Sequence, residues 1–132
     1  MDDQIPRLRE QGIQPTPQRL AVADYVLTTT SHPSAEEVWT RVRRACPTVS
    51  RATVYNTLKL FAEKGLIKAY CMREGALIFD GRVAPHHHLI DDETGQVYDV
   101  AWEAISVQGA STLKGFRVND YQVVMRGRKR GR

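Results

Sequence analysis

Through the first half of the chain, apolar residues fall at helical spacing between strong start and stop signals. Ile5 and Leu8, with Ile13 just beyond the stop signal Gly12, predict a short first helix over residues 2–12. Thr16 before Pro17 is a helix start, a capping hydroxyl ahead of a residue whose missing N–H is harmless at the first helical position. Leu20, Ala23, Val26 and Leu27 recur behind it, and this second helix ends in Thr28-Thr29-Thr30. Ser34 with Glu37 makes a capping box ahead of Val38, Val42 and Ala45, the inner face of a third helix reaching Cys46-Pro47. Ser50, with Thr53 three residues on, opens a fourth helix. Its stripe of Val54, Leu58, Phe61 and Ala62 runs to about Lys64 and stops at Gly65.

The pattern then changes to short apolar runs. Leu66 to Cys71 and Ala76 to Phe79, on either side of Glu74-Gly75, predict a hairpin. A helical trio with short connections followed by a hairpin is a winged helix-turn-helix, in which the last helix enters the major groove and the hairpin touches the backbone nearby. The outer face of the fourth helix offers Arg51, Thr53, Tyr55, Asn56 and Lys59 to phosphates and base edges, and Arg19 and Ser50 complete the candidate DNA-binding set. A polar face is normal for any surface helix, so its setting carries the argument.

Arg82 to Pro85 predict a linker. Beyond it lie a strand over His86 to Ile90, a strand over Val97 to Val100, a helix from Trp102 to Leu113 and, after Gly115, a strand from Phe116 to Met125. The expected class is α+β: a winged-helix domain over residues 1–81, a linker over 82–85, a small α/β dimerisation and metal-sensing domain over 86–126, and a basic tail over 127–132. The second domain has too little chain to bury two sheet faces alone, so pairing with a second copy is expected.

Charge sharpens this picture more than composition does. With 42% hydrophobic and 26% charged residues the chain is ordinary globular material, and no apolar run approaches a membrane span. Met1-Asp2-Asp3 opens with acid where a signal peptide needs base, so a cytoplasmic protein is expected. Arg126, Arg128, Lys129, Arg130 and Arg132 crowd the end, whereas Lys114 and Arg117 are the only bases against six acids over residues 84–125. Such an end is expected to be a solvated, disordered tail that adds attraction for DNA. Cys46 and Cys71 belong to no Cys-x-x-Cys pair, so neither a disulfide framework nor a thiolate zinc site is indicated. Cys46-Pro47 can be read as a haem-binding dipeptide, but an incidental cysteine before a loop proline is the commoner case.

The triplet His86-His87-His88 carries the candidate chemistry. On a strand, His86 and His88 share a face roughly 6 to 7 Å apart while His87 points the other way, and two imidazoles at that spacing can share a metal ion. Asp80, Asp99 and His32 are the candidates to complete the set. A hairpin through Asp91 to Gly95 would return Asp99 beside His86 or His88. Nitrogen and oxygen donors suit Fe(II) or Mn(II), with Zn(II) also able to bind. Two other readings use the same residues: a solvated polar run at a strand edge, and a small non-haem iron enzyme with two histidines and a carboxylate. An enzyme also needs an open metal position and a pocket, which a chain half spent on a winged helix can hardly build.

Taken in order, Pro15-Thr16-Pro17-Gln18-Arg19, His32-Pro33-Ser34-Ala35-Glu36-Glu37, Ser50 to Leu58, Phe61 to Leu66, Phe79-Asp80 and His86-His87-His88 resemble the ferric uptake regulator (Fur) superfamily over nearly the whole chain. The resemblance implies a homodimeric, metal-dependent transcriptional repressor, not an enzyme, that binds double-stranded operator DNA. It also implies a regulatory metal held by His32, Asp80, His86, His88 and Asp99 between the two domains. Tyr55 falls at a position that contacts DNA in the family, and Asn56 stands where many iron-sensing members have Arg. Asp91 and Thr94 replace the usual Cys-x-x-Cys and the tail lacks the second pair, so no structural zinc held by four cysteines is expected and the dimer rests on packing. Pro85 and Tyr121 occupy two ligand positions of a further metal site found in some members. Aspartate at 80 and 99 resembles the peroxide-responsive (PerR-like) branch, in which Fe(II) and peroxide oxidise a ligand histidine, here His32 or His86, and the repressor leaves DNA. The missing cysteines and the basic end resemble the iron- and haem-responsive (Irr-like) branch.

Overall fold

Three of the four helices start where a side-chain oxygen replaces the missing backbone partner, as the sequence predicts. In the computed structural model, which describes residues 2–73 and 76–131, Thr16 accepts the Arg19 N–H at the start of α2 (Pro17–Val26). Ser34 and Glu37 form both bonds of the capping box at α3 (Ala35–Val42), and Ser50 accepts the Thr53 N–H at α4 (Arg51–Glu63). The uncapped α1 (Ile5–Glu10) is shorter than the 2–12 pattern, a single 3-10 turn preceding it. Gly65, at φ 75°, ends α4 with the Leu66 N–H on the Phe61 carbonyl, a left-handed closure that favours glycine.

The chain falls into two units, Met1–Val83 and Ala84–Arg132. In the first, one apolar core joins all four helices: Leu8, Val22, Val26, Val38, Val54 and Phe61 are fully buried. The third helix stops earlier than expected. The N–H groups of Ala45 and Cys46 both bond the Val42 carbonyl, a tight turn that leaves Ala45 exposed and brings Val49 into the core in its place. The wing is an antiparallel pair, β1 (Lys68–Arg73) and β2 (Ala76–Asp80), in register Ala69 to Phe79. Glu74 and Gly75, predicted as its turn, lie outside the described residues.

The second unit is a three-stranded sheet in the order β4-β3-β5, built from β3 (His86–Asp91), β4 (Val97–Ala101) and β5 (Val124–Gly127). β3 pairs antiparallel with β4 and parallel with β5. The helix predicted over Trp102 to Leu113 is absent: only 3-10 turns at Trp102–Ala104 and Ala110–Thr112 form. Gly109, at φ 83°, interrupts any helical path through the segment. The last strand is also shorter than predicted. His88 faces Val124 in the parallel ladder and β3 starts at His86, so residues 116–121 have no β3 backbone to pair with. At the basic end, Arg128 Nη1 lies 3.7 Å from Glu93 Oε1 and Lys129 Nζ 5.7 Å from the Tyr98 ring centre, both side chains beside the sheet. Among the described residues, no helix is long and apolar enough to cross a membrane.

Candidate metal centre and nucleic-acid interface

The histidine strand is the central strand of its sheet, and His86, His87 and His88 are all buried, which removes the reading of a solvated edge. The β3–β4 hairpin sets Asp99 directly across from His88. Asp99 Oδ1 lies 3.3 Å from His86 Nε2 and 3.6 Å from His88 Nε2. The other ring nitrogens fix the tautomers. His86 Nδ1 is 2.7 Å from the Ala84 carbonyl and His88 Nδ1 is 2.9 Å from Gln122 Oε1; oxygens of this kind accept, so each Nδ1 donates and each neutral ring presents a lone pair at Nε2. Two nitrogen lone pairs and a carboxylate oxygen thus converge, their ligand atoms within 4.8 Å of one another. Such a set of acceptors repels itself unless a cation or a proton intervenes, and a divalent ion satisfies all three. Ala84 and Gln122 orient these rings, a role that no spacing rule ties to the triplet.

The first unit contributes a separate pair. His32 Nε2 and Asp80 Oδ2 are 3.4 Å apart, and both side chains are buried. His32 holds the left-handed conformation at φ 54°, which side chains other than glycine adopt at a cost of about 1–2 kcal/mol. The following Pro33 carbonyl accepts the Phe79 N–H at 2.9 Å, which ties the loop to β2 one residue before Asp80. Asp80 Oδ1 accepts the Arg82 N–H at 2.8 Å, turning the carboxylate so that Oδ2 faces His32. Gly81 permits this turn: a Cβ there would sit 2.8 Å from the Val26 carbonyl oxygen. A Gly directly after a strand-terminal Asp is the signal that reading for ligands alone passes over.

His87 points away from its neighbours, as the alternation predicts. Its Nδ1 accepts the Val123 N–H at 2.9 Å and its ring stacks on Trp102 at 4.6 Å, so it joins β3 to the segment leading into β5.

The predicted DNA-facing residues divide into two groups. Arg51, Thr53, Tyr55, Asn56 and Lys59 are all exposed on α4. Ser50 and Thr53 are engaged with each other and with the helix start, their hydroxyls 3.0 Å apart, and Arg19 Nη1 donates to the Gln14 carbonyl at 3.1 Å. Arg51, Ala52, Tyr55 and Asn56 line a shallow hollow together with Ala35 and Glu36. Glu36 accepts from Arg51 Nε at 2.9 Å and from Nη2 at 3.0 Å, and the guanidinium lies 3.9 Å from the Trp39 ring centre. The hydrogen bond from Arg51 holds the Glu36 carboxyl below the usual carboxylate range, and the same bond raises Arg51. Glu36 and Trp39 went unpredicted because they sit on α3, far from α4 in sequence.

Comparison with known proteins agrees with this architecture. Residues 10–126 match the family model described as the ferric uptake regulator family. The chain is 30% identical to the peroxide operon regulator of Bacillus subtilis over 129 residues, 96% of this chain and 89% of that protein. It is 32% identical to the peroxide-responsive repressor PerR of Staphylococcus epidermidis over 75% of this chain and 66% of that one. Among solved structures, the ferric uptake regulator of Pseudomonas aeruginosa with manganese superposes with a TM-score of 0.73 at 26% identity, covering 95% of this chain and 96% of that one. With a family match across nearly all of its length and the winged-helix and sheet units in the corresponding order, this chain belongs to the ferric uptake regulator family.

Proposed function

We propose that the chain is a metal-dependent transcriptional repressor that responds to peroxide, with one divalent ion held by His32 and Asp80 from the first unit and His86, His88 and Asp99 from the second. The observation that carries this reading is the convergence of His86 Nε2 and His88 Nε2 on Asp99 Oδ1 with both Nδ1 atoms engaged as donors. A histidine and an aspartate on the other unit supply the same donor types, and neither partial set alone fills the coordination shell of a hard divalent ion. Three imidazoles and two carboxylates, with no thiolate, suit Fe(II) or Mn(II) and also accept Zn(II). Ligands drawn from both units make metal binding bias their arrangement, and with it the presentation of α4 to DNA.

Fe(II), when bound, supplies the redox chemistry by which peroxide oxidises a ligand histidine, and Mn(II) at the same ligands does not. His32 and His86 are the residues proposed to be oxidised, and loss of a ligand would release the protein from its operator. The relatives named for peroxide response support this branch. The chain acts as a homodimer in the cytoplasm: Phe116, Leu113 and Tyr121 are exposed in the second unit and supply an apolar surface for a second copy. With only two cysteines the chain cannot build a four-cysteine zinc site, so the dimer is held by packing. As a regulator it turns over no substrate.

The test is operator binding by Fe(II)-loaded and Mn(II)-loaded protein before and after brief peroxide exposure, with mass spectrometry of the peptides containing His32 and His86. Loss of binding for the iron form alone, with an oxygen added to either histidine, is the expected result. Binding that persists without oxidation would move the reading to an iron- or haem-responsive regulator.

A further inference from the structure

We propose that Arg51 is the guanine-reading side chain of this protein, held ready by Glu36 and Trp39 so that its outer edge meets O6 and N7 of a guanine in the major groove. The proposal rests on the reading that the chain binds duplex DNA through α4, and goes beyond it by assigning a base to a residue.

Arg51 is the first residue of α4, and N-terminal residues of a recognition helix are the ones that reach base edges. Guanidinium carries two usable edges. Glu36 takes the side edge, accepting from Nε and from Nη2, while among the described residues nothing bonds Nη1. The end edge, one N–H from Nη1 and the outer N–H of Nη2, remains as a parallel pair of donors, and that fork matches guanine O6 and N7. Trp39 limits the side chain further. Its ring lies against Arg51 at 3.9 Å and against Arg43 at 4.4 Å, and its Nε1 donates to the Val49 carbonyl at 3.1 Å, so the platform is itself fixed.

The carboxylate also decides what kind of acceptor is favoured. A phosphate approaching Arg51 meets the Glu36 charge beside it and must compete for a guanidinium that is already paired. Guanine presents uncharged acceptors and needs only the outer edge, so the pair can stay intact while the base is read. Glu36 and Trp39 are therefore positioning residues, and Arg51 is the contact.

The experiment is in vitro selection from a randomised duplex pool with Mn(II)-loaded wild type, Arg51→Ala, Glu36→Gln and Trp39→Phe, each first checked for an unchanged melting temperature. Wild type should enrich sites with a guanine at one position. Replacing that guanine by 7-deazaguanine, which removes N7, should weaken wild-type binding roughly 5- to 150-fold, the range of a bidentate contact, and leave Arg51→Ala, which has no donor to place there, nearly unaffected. Glu36→Gln should lose much of the guanine preference while nonspecific binding rises with a steeper salt dependence, because Arg51 is released to phosphates. If Arg51→Ala enriches the same guanine-containing sites as wild type and loses only affinity, Arg51 is a phosphate contact and the proposal is overturned. If wild type enriches no sequence at all, the DNA-binding reading fails and takes the proposal with it.

Discussion

Among the described residues, the largest fully buried side chains of the first unit are Phe61, Leu8, Leu58 and Ile67, whereas those of the second are His86, His87 and His88 beside one aliphatic residue, Ile90. Each buried Leu or Phe stabilises its unit by about 1.5–3 kcal/mol, while a buried imidazole contributes little until its nitrogens are satisfied. The second unit also leaves Phe116 at 79% exposure and Leu113 at 56%. One unit is thus held by its own hydrocarbon. The other has little hydrocarbon core of its own, and under the function proposed above it is completed by an ion at the histidines and by a second copy over its exposed apolar residues. On that proposal the second unit is the responsive part and the first the constant one.

The largest expected effect breaks the constant part. Phe61→Ala removes a side chain with no exposed surface from the middle of the core and should cost about 3–5 kcal/mol, read as a lower denaturant midpoint. His88→Ala breaks the responsive part instead. It should weaken Mn(II) binding roughly 100-fold by calorimetry and reduce amide protection in β3 to β5, with little change in α1 to α4. Equal loss of protection in both units would erase the distinction.

Smaller changes sharpen it. Gly81→Ala places a Cβ against the backbone of Val26 and Leu27, atoms that cannot swing aside, and should cost about 1–3 kcal/mol while disturbing the adjoining Asp80. The smallest effect is at the α4 surface. Because the folded pKa of Glu36 lies below its unfolded value near 4.5, its bond to Arg51 is fully present above that value and is lost as pH falls through the lower folded one. Carboxyl NMR should find Glu36 titrating below 4.5 in the wild type and moving up in Arg51→Ala.

Legibility in the sequence follows the same division. Helix starts at Thr16, Ser34 and Ser50 were readable because capping is a local exchange between residues three apart, and the core stripe of α4 because its period is local too. The face shared by His86 and His88, and the return of Asp99, follow from strand alternation and one tight turn. The segment from Trp102 to Val123 departs from the expected helix and long strand because, beyond the stacking of Trp102 and Tyr121 beside His87, Val107, Leu113, Phe116 and Val118 are exposed and no packing imposes a period on them, and Gly109 and Gly115 take positive φ. Gln122 orienting His88, and Glu36 with Trp39 holding Arg51, join residues far apart in sequence, which no local pattern encodes.

Under the proposed function, metal at His32, Asp80, His86, His88 and Asp99 controls DNA binding. Its most direct test is the affinity of the full-length protein for a selected operator duplex at fixed salt, with Mn(II) and with a chelator, beside Asp80→Asn. Affinity should be higher by roughly 5- to 150-fold with Mn(II), with a much smaller gain in the variant. Equal affinity of the wild type with and without the metal would contradict the claim.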